Sequence, residues 1–271
     1  MTISSNGTAL VTGASTGIGA VYADRLARRG YDLILVARNR ERLNTLAKRL
    51  TDDTGRTVQV EAADLSNKAD VRRIEAVLQT DASITLLVNN AGVGATAPLL
   101  HADADKMDDM IELNVSALTR LTYAAVPGFV QRGGGTIINI ASIVGIRPEI
   151  LNGVYGATKA YVLAFSQSLV HELADKNIRV QAVCPGAIAT EFWPIAGTPV
   201  ENFPPEIVMS ADDLVDAALA GLDQGELVTI PSLPDAGVWE AYESARQNFT
   251  LENLSRRVPA PRYHVAAKQA G

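Results

Sequence analysis

Two residues that could move a proton, Tyr155 and Lys159, lie four positions apart in the sequence. On a helix, residues at this spacing lie one above the other on the same face. An ammonium held beside a phenol, whose pKa is about 10 when unperturbed, would favour the ionised phenolate. The pair could therefore donate or accept a proton near neutral pH. Because this spacing also arises by chance, an aromatic ring packed on a lysine stem is the alternative interpretation.

A glycine-rich turn near the start of the chain follows an apolar strand and precedes an amphipathic helix. Gly13, Gly17 and Gly19 follow the pattern G-x-x-x-G-x-G, which differs from the more common G-x-G-x-x-G of dinucleotide-binding folds. Glycines here let the backbone turn tightly and approach a phosphate, and the helix N-terminus offers N–H groups to an anion. The turn indicates a nucleotide phosphate site, and a strand–helix turn without a ligand is the alternative.

Four further polar motifs follow in chain order. They are the N-N-A-G run at 89–92, Asn114, Ser142 thirteen residues before Tyr155, and the run C-P-G-A-I-A-T at 184–190. With the glycine turn and the Y-x-x-x-K pair, these motifs resemble the short-chain dehydrogenase/reductase family over about residues 8–230. Their joint occurrence in this order makes the resemblance specific.

The resemblance implies hydride transfer between a nicotinamide cofactor and a carbonyl or secondary alcohol, with the protein orienting the reactants and supplying the proton. Tyr155 would be the general acid or base. Lys159 would lower the pKa of Tyr155 and bind the nicotinamide ribose. Ser142 would hydrogen-bond the substrate oxygen, and Asn114 would hold a water in a proton relay through Lys159. Taken singly, Ser142 is also interpretable as a strand-end cap and Asn114 as a polar helix residue with local partners.

The resemblance also implies a set of cofactor-binding residues. Asp64 would contact the adenine, although a role as turn former is the alternative, and Thr190 would lie near the nicotinamide carboxamide. The implied set comes from the glycine turn, the strand ends, the catalytic pair and the P-G motif, and comprises Gly13, Ser15, Thr16, Gly17, Ile18, Gly19, Arg38, Asp64, Leu65, Asn90, Ala91, Gly92, Tyr155, Lys159, Pro185, Gly186, Ile188 and Thr190.

The end of the second predicted strand indicates which nicotinamide cofactor is bound. NAD-binding folds usually place Asp or Glu there to bind the ribose 2′-hydroxyl, whereas this chain has Ala37. Arg38 follows, and its planar guanidinium suits phosphate oxygens, although a solvated arginine is the alternative. The sequence therefore favours NADP(H) over NADH. The preference need not be absolute, because Thr16 stands where some NADP-preferring relatives carry a basic residue.

These motifs require a scaffold that brings several strand ends to one edge. Short apolar runs alternate with longer amphipathic ones, the pattern of a parallel sheet covered on both faces. We predict an α/β fold, a Rossmann-like doubly wound parallel sheet of seven strands with helices on both faces, in a single domain. The predicted strands lie near 8–12, 32–37, 57–61, 84–88, 136–140, 178–183 and 227–230, and the helices near 17–29, 40–53, 67–80, 103–131, 155–175 and 211–223. Pro127 is expected to kink or end the long helix.

Composition excludes several classes of protein. The 271-residue chain is 47% hydrophobic with a formal net charge of −6, which argues against a nucleic-acid partner. No apolar run approaches about eighteen residues, so we expect no membrane span. The first residues show no export signal, and we expect a cytoplasmic location. The single Cys184 suits a reducing compartment and is interpreted as a buried apolar residue. The three histidines lack metal-ligand spacing, so no metal is predicted.

We predict a catalytic domain over 1–230 with a substrate loop at about 187–210, and a C-terminal extension over 231–271 that is not a separate domain. In the loop, four prolines and one glycine oppose regular structure. Its apolar side chains could form a lid over an apolar or aromatic carbonyl substrate, or simply pack the loop down. The side chains concerned are Phe192, Trp193, Ile195 and Phe203, together with Val93, Ile143 and Val144. Arg147 could meet an acid group, with solvation as the alternative.

The extension could contain a helix over 235–257 and act as an oligomer arm, a cover over the site or a frayed end. Its candidate anchors are Val238, Trp239, Tyr242, Phe249 and Leu254, and its basic residues are Arg256, Arg257, Arg262 and Lys268. By resemblance, the 103–131 and 155–175 helices of two copies would pack together, which predicts a homodimer or homotetramer. The second of these helices carries Val162, Phe165, Ser166, Leu169 and Val170.

Two other functions remain open from the sequence. A non-catalytic nucleotide-binding regulator on the same fold is disfavoured because the four catalytic residues are intact. A sugar-nucleotide epimerase or dehydratase shares Y-x-x-x-K, but such enzymes carry a larger C-terminal substrate domain. Only about forty residues follow the last predicted strand here.

Overall fold

The structure is a computed structural model that describes residues 6–265. The expectation about an export signal concerns residues 1–5, which lie outside the described residues. Lys268, one of the basic residues of the extension, also lies outside them. By its internal contacts the chain divides into two compact units, Met1–Ser232 and Leu233–Gly271.

The first unit alternates strands and helices. Its strands are β1 (Thr8–Thr12), β2 (Asp32–Ala37), β3 (Val58–Ala62), β4 (Ile84–Asn89), β5 (Gly135–Ile140), β6 (Ile178–Val183), β7 (Ala187–Ile188), β8 (Val208–Met209) and β9 (Val228–Thr229). Its helices are α1 (Gly17–Arg28), α2 (Arg40–Thr54), α3 (Lys68–Thr80), α4 (Ala104–Ile111), α5 (Leu118–Gln131), α6 (Gly153–Glu172), α7 (Phe192–Ala196) and α8 (Ala211–Gln224).

Seven strands form one parallel sheet in the order β3-β2-β1-β4-β5-β6-β9. This confirms the predicted doubly wound fold. The direction in which successive strands are added reverses between β1 and β4, and a crevice opens beyond the carboxyl ends of the strands at such a reversal. The strand-end motifs named above therefore meet at one edge.

Each face of the sheet carries its own apolar core. Successive side chains of a strand point to opposite faces. Ala9 and Val11 of β1 therefore join the core that α1, α2 and α8 cover, while Leu10 joins the core beneath α3 and α5. All three side chains are fully buried. Burial on both faces explains why the strands read as continuous apolar runs.

A charged cluster fastens α1 to its neighbours. The Asp24 carboxylate of α1 accepts hydrogen bonds from Arg25, Arg28 and Arg49 at 2.9–3.1 Å, and only 6% of Asp24 is exposed. Burial alone would raise the pKa of this carboxyl, but the hydrogen bonds from the three arginines outweigh it and hold the pKa below its usual value.

The long helix predicted over 103–131 is present, but it is interrupted at a segment that sequence analysis did not predict. Between α4 and α5, the segment Glu112–Ala117 is π-helical. Pro127 lies inside α5, which continues to Gln131, so the expectation that Pro127 might end the helix is wrong. Inserted π turns recur at functional sites, and this one contains Asn114.

The substrate loop has more regular structure than its prolines suggested. Its ends form a two-stranded parallel sheet, β7 with β8, and α7 begins directly after Glu191. Pro194 lies in the first turn of α7, where a missing N–H costs no hydrogen bond. The expectation that the loop lacks regular structure is therefore wrong.

The second unit is built from α9 (Ala236–Gln247), α10 (Leu251–Leu254) and a 3₁₀ turn at Pro261–Tyr263. The single helix predicted over 235–257 is thus broken after Gln247, where Asn, Phe and Thr of low helix propensity follow one another. Among the predicted anchors, Trp239 is half-buried and packs on Tyr242 with ring centroids 5.2 Å apart. Phe249 and Leu254 are exposed.

Candidate active site

The glycine turn between β1 and α1 has a geometry that requires glycine. Gly13 has a φ of 64°, and a Cβ there would lie 2.7 Å from Asn90 Nδ2. A Cβ on Gly19 would lie 2.3 Å from the Gly13 carbonyl oxygen. Among the described residues, no side chain caps the N-terminus of α1 at Thr16. The first N–H groups of α1 therefore face the crevice without a side-chain partner, as an anion site requires.

Thr12 and Asn90 hold this turn against β4. The Asn90 amide donates to the carbonyls of Thr12 and Gly13 at 2.9 and 3.2 Å. The backbone N–H groups of Asn90 and Ala91 donate to Thr12 Oγ1 at 2.9 and 3.0 Å. Asn90 was predicted to bind the cofactor, and its side chain also connects the ends of β1 and β4. Thr12 was missed, although its position at the end of β1 is a signal for such a role.

Tyr155 and Lys159 lie in the first turns of α6 and are both buried, with 6% and 7% exposed. The helix begins at this point because Asn152 caps it: Asn152 Oδ1 accepts from the N–H groups of Val154 and Tyr155 at 2.9 and 3.2 Å. Lys159 Nζ donates to the Ile140 carbonyl at the end of β5 at 2.8 Å. It lies 5.9 Å from the centroid of the Tyr155 ring. The predicted side-by-side arrangement of phenol and amine is thus present.

Ser142 lies two residues beyond β5 and serves two purposes. Its hydroxyl accepts from the Val144 N–H and donates to the Pro185 carbonyl, both at 3.3 Å. It also forms a hydrogen bond with the Tyr155 phenol, which lowers the pKa of that phenol. The strand-end cap and the partner of Tyr155 are therefore the same residue.

Asn114 lies in the π-helical segment and faces the loop after β4. Its Oδ1 accepts from the Val93 N–H at 3.0 Å, and its Nδ2 donates to the Val93 carbonyl at 2.8 Å and to Thr158 Oγ1 at 3.2 Å. A Cβ on Gly92 would lie 3.1 Å from Asn114 Oδ1 and 3.6 Å from Lys159 Nζ. Asn114 and Lys159 thus flank Gly92, while the Asn114 side chain is held by backbone and hydroxyl partners.

A cavity of about 500 Å³ joins these groups. It runs from the glycine turn and Arg38, past Tyr155 and Ser142, to the aromatic side chains of the substrate loop. All predicted cofactor-binding and catalytic residues line it except Gly19 and Asn114, whose predicted roles stay predictions. Gly19 packs against the Gly13 carbonyl, and Asn114 lies behind Gly92.

Other predicted residues are placed as follows. Asp64 lines the cavity, and its Oδ1 accepts from the Ser66 N–H at 3.0 Å, so the turn-forming interpretation also holds. Arg147 does not line the cavity and instead pairs with Glu149 at 2.5 Å. Prediction missed Arg42, which lines the cavity beside Arg38 and forms an ion pair with Glu191 at 2.7 Å. Nothing in the sequence pairs residues that lie so far apart.

The model of the short chain dehydrogenase family matches residues 7–197. The chain belongs to this family. An uncharacterized oxidoreductase of Staphylococcus epidermidis is 33% identical over 82% of this chain and 93% of that protein. A short-chain dehydrogenase from Sphingobium yanoikuyae, solved in complex with NADPH, is 49% identical, with a TM-score of 0.91 over 95% of this chain and 99% of that one. The bulky-bulky ketone specific alcohol dehydrogenase from Comamonas testosteroni is 43% identical, with a TM-score of 0.88 over 96% of this chain and 99% of that one.

As a short-chain dehydrogenase the chain is an oxidoreductase, and the titration of its buried pair matters for proton transfer. Burial raises the pKa of the Tyr155 phenol to about 12, with the Ser142 hydrogen bond acting in the opposite direction. Burial lowers the pKa of the Lys159 ammonium to about 8. Burial and Ser142 are the influences on the Tyr155 pKa in this structure. The lowering of that pKa by Lys159, whose Nζ lies 5.9 Å from the ring centroid, stays a prediction. At this geometry the Tyr155 phenol keeps its proton at neutral pH.

Other chemistry finds no support within residues 6–265. There, no group of three or more His, Cys, Asp and Glu side chains is arranged to hold a metal ion. Cys184 is buried, and burial raises the pKa of its thiol to about 12, so it is a poor nucleophile. None of the described helices has the length and apolarity needed to cross a membrane.

Proposed function

We propose that this chain reduces apolar or aromatic ketones to secondary alcohols, or oxidises such alcohols, with NADP(H) as cofactor. The observation that carries the proposal is one continuous cavity with three chemically distinct parts. These parts are a phosphate-binding end at Gly13 and Arg38, a proton-transfer centre at Ser142, Tyr155 and Lys159, and an apolar wall at Phe192, Trp193 and Phe203.

The first end of the cavity fits a 2′-phosphorylated dinucleotide. Ala37 leaves no carboxylate at the end of β2 to repel a 2′-phosphate, and the exposed Arg38 side chain borders the cavity there. Arg38 forms no ion pair with any described residue, so its guanidinium is free to bind phosphate oxygens. The complex of the Sphingobium yanoikuyae protein with NADPH supports this assignment. When bound, the nicotinamide supplies or accepts the hydride.

The centre of the cavity fits general acid catalysis of ketone reduction. Ser142 and Tyr155 present two hydroxyl groups to one point, where both can hydrogen-bond a carbonyl oxygen. Tyr155, with its raised pKa, carries the proton that the developing alkoxide needs. Lys159, held at the Ile140 carbonyl, is the adjacent proton source and is placed to bind a ribose hydroxyl. Asn114 keeps the Val93 backbone beside this amine.

The far end of the cavity favours apolar substrates. Phe192, Trp193 and Phe203 form a chain of ring contacts with centroid distances of 5.3 and 4.5 Å. No lysine or arginine other than Lys159, Arg38 and Arg42 lines the cavity, so nothing at this end would hold a carboxylate or phosphate. The description of the Comamonas testosteroni relative as ketone-specific supports a ketone substrate.

A substitution at Tyr155 tests the proposal. Tyr155→Phe keeps the ring packing but removes the transferable proton, so reduction of aromatic ketones should fall by about 10² or more. The readout is NADPH oxidation over a panel of aryl, alkyl and sugar-like ketones, with NADPH affinity measured separately. Tyr31→Phe, at a half-buried tyrosine outside the cavity, is the matched control. Near-wild-type turnover in Tyr155→Phe, or a clear preference for sugar-like ketones, would refute the proposal.

The assembly and extent of the enzyme are also proposals. We propose a homodimer or homotetramer formed through α5 and α6, where Tyr123, Tyr161 and Phe165 stack at centroid distances of 6.4 and 5.7 Å. Tyr123 is 67% exposed, which leaves an aromatic surface for a second copy to cover. The catalytic domain is proposed to end after β9, with the remainder as an extension. A cytoplasmic location is proposed because the only cysteine is unpaired and buried.

A further inference from the structure

We propose that Phe192 and Gly94 together form the size filter of the substrate site, with the Phe192 ring limiting the carbonyl substituent that lies next to Tyr155. This inference rests on the proposed ketone reductase function. It assigns the specificity of that site to a contact between two loops that are about a hundred residues apart in sequence.

The Phe192 side chain of the substrate loop packs against the Tyr155 ring. Its ring centroid lies 5.7 Å from that of Tyr155, with the planes tilted by 44°. Both rings line the cavity. A ketone whose oxygen lies at Tyr155 and Ser142 must therefore place one of its two substituents against the Phe192 ring. A planar aryl group suits such a contact because aromatic rings pair favourably at this separation.

The position of the Phe192 ring depends on Gly94. A Cβ on Gly94 would lie 2.2 Å from Phe192 Cζ and 2.9 Å from Cε2, distances at which the Phe192 ring would have to shift. The backbone of Gly94 does not have the positive φ that would itself require glycine. Glycine is thus needed here for space and not for backbone conformation. The tip of the Phe192 ring occupies the volume that any side chain at position 94 would fill.

Neighbouring contacts hold the backbone on both sides of the Phe192 ring. Trp193 is buried, donates from Nε1 to the Ile188 carbonyl at 2.8 Å, and packs edge-on against Phe192. Thr96, two residues after Gly94, fastens its own loop to α7. Its N–H and its hydroxyl both donate to the Ala196 carbonyl at 3.0 Å. With both sides held, the ring can move only towards Tyr155 or into the cavity.

Two consequences follow for specificity. In Phe192→Ala the cavity gains the volume of the ring next to Tyr155, so larger substituents fit and the aromatic contact is lost. In Gly94→Ala the new methyl group displaces the ring towards Tyr155, so every ketone is hindered. If the two residues act only through their shared space, Gly94→Ala should have almost no effect once Phe192 is already alanine.

The experiment is a double-mutant cycle with acetophenone and benzophenone as substrates and NADPH affinity as a check on the fold. We expect Phe192→Ala to raise the ratio of kcat/KM for benzophenone to that for acetophenone at least tenfold. We expect Gly94→Ala to lower kcat/KM for both ketones at least tenfold in the wild-type background, and less than twofold in the Phe192→Ala background. Phe249→Ala, an exposed phenylalanine outside the cavity, is the control.

The outcomes separate this inference from the function on which it rests. A wild-type enzyme that binds NADPH but reduces neither ketone overturns both. Active wild type with an unchanged substrate ratio in Phe192→Ala overturns the filter alone. An equal effect of Gly94→Ala in the two backgrounds shows that Gly94 serves the backbone, which also overturns it. Should Gly94→Ala fail to fold, the substrate ratio of Phe192→Ala still decides.

Discussion

Lys159 should cost the folded protein stability at neutral pH, so that Lys159→Met gives a more stable but inactive enzyme. The amine is buried, and burial lowers its pKa from 10.5 to about 8. Methionine has a similar length and adapts well to an apolar site. The catalytic pair would then be an example of function retained at the expense of stability.

The magnitude follows from the difference in proton binding between the folded and unfolded chain. Between pH 8 and 10.5 the unfolded chain keeps the proton and the folded chain releases it, so wild-type stability rises with pH over this range. Below about pH 8 both states are protonated, and the full cost, roughly 3 kcal/mol at 1.36 kcal/mol per pKa unit, is present. Against this, the substitution loses the hydrogen bond to the Ile140 carbonyl, which contributes about 1–2 kcal/mol. The expected net gain at pH 7 is about 1–2 kcal/mol.

The measurement is denaturant unfolding of wild type and Lys159→Met at one protein concentration, at pH 7 and at several values up to pH 10.5. Other groups titrate in both proteins, so their contributions cancel in the difference. The advantage of the variant should shrink as pH rises above 8 and change sign between about pH 9 and 10, where the remaining cost equals the lost hydrogen bond. Lys106→Met, at an exposed helical position, is the control and should show no pH-dependent difference. A variant less stable than wild type at pH 7, or a difference independent of pH, would refute the reasoning.

Three further predictions concern the cofactor, acid stability and assembly. Arg38→Ala should weaken NADPH binding roughly ten- to a hundredfold and leave NADH binding nearly unchanged. Arg40→Ala, at an exposed position, is the control and should change the affinity for neither cofactor. Equal losses for both cofactors in a calorimetric titration would show Arg38 to be structural. Asp24→Asn should cost about 1–3 kcal/mol at pH 7. Because the pKa of Asp24 is lowered in the folded protein, this stabilisation is present above about pH 4 and disappears as pH falls through the folded pKa. The unfolding free energies of variant and wild type should therefore converge in acid. Asp223→Asn, on the surface, is the control and should change the stability little. Light scattering at micromolar concentration should give two or four times the chain mass of 28.7 kDa, and a mass near that of one chain would contradict the proposed interface.

The sequence predicted those parts of the molecule that local pattern determines. The strands of the main sheet and the helices between them were confirmed because apolar periodicity reports burial directly. The glycine turn was recognisable because a Cβ at Gly13 or Gly19 would collide with neighbouring atoms, so only glycine fits these positions. Both patterns are read from residues close together in the chain, although the Asn90 side chain that excludes a Cβ at Gly13 is distant in sequence.

The features that sequence analysis did not predict depend on contacts between residues distant in sequence, or on the number of residues in a helical turn. The π-helical segment around Asn114 has no apolar signature, because one inserted residue shifts the helical pattern only slightly. The short helix α7 is held by two contacts distant from its own backbone pattern: its Trp193 donates to the Ile188 carbonyl, and Thr96 donates to the Ala196 carbonyl. The raised pKa of Tyr155 follows from packing of the substrate loop above α6, which no i, i+4 spacing reveals.

The crevice between β1 and β4 explains why binding and stability depend on the same residues. Where the strand order reverses, the helices that follow β1 and β4 lie on opposite faces of the sheet, and no side chain from either face fills the gap. The backbone groups at these two strand ends would lack partners without the Thr12 hydroxyl and the Asn90 amide. Because the Asn90 amide N–H groups already donate to the carbonyls of Thr12 and Gly13, we expect Asn90 to affect a bound dinucleotide mainly by holding this turn. Asn90→Ala should therefore weaken both folding and cofactor binding, through the turn that it holds.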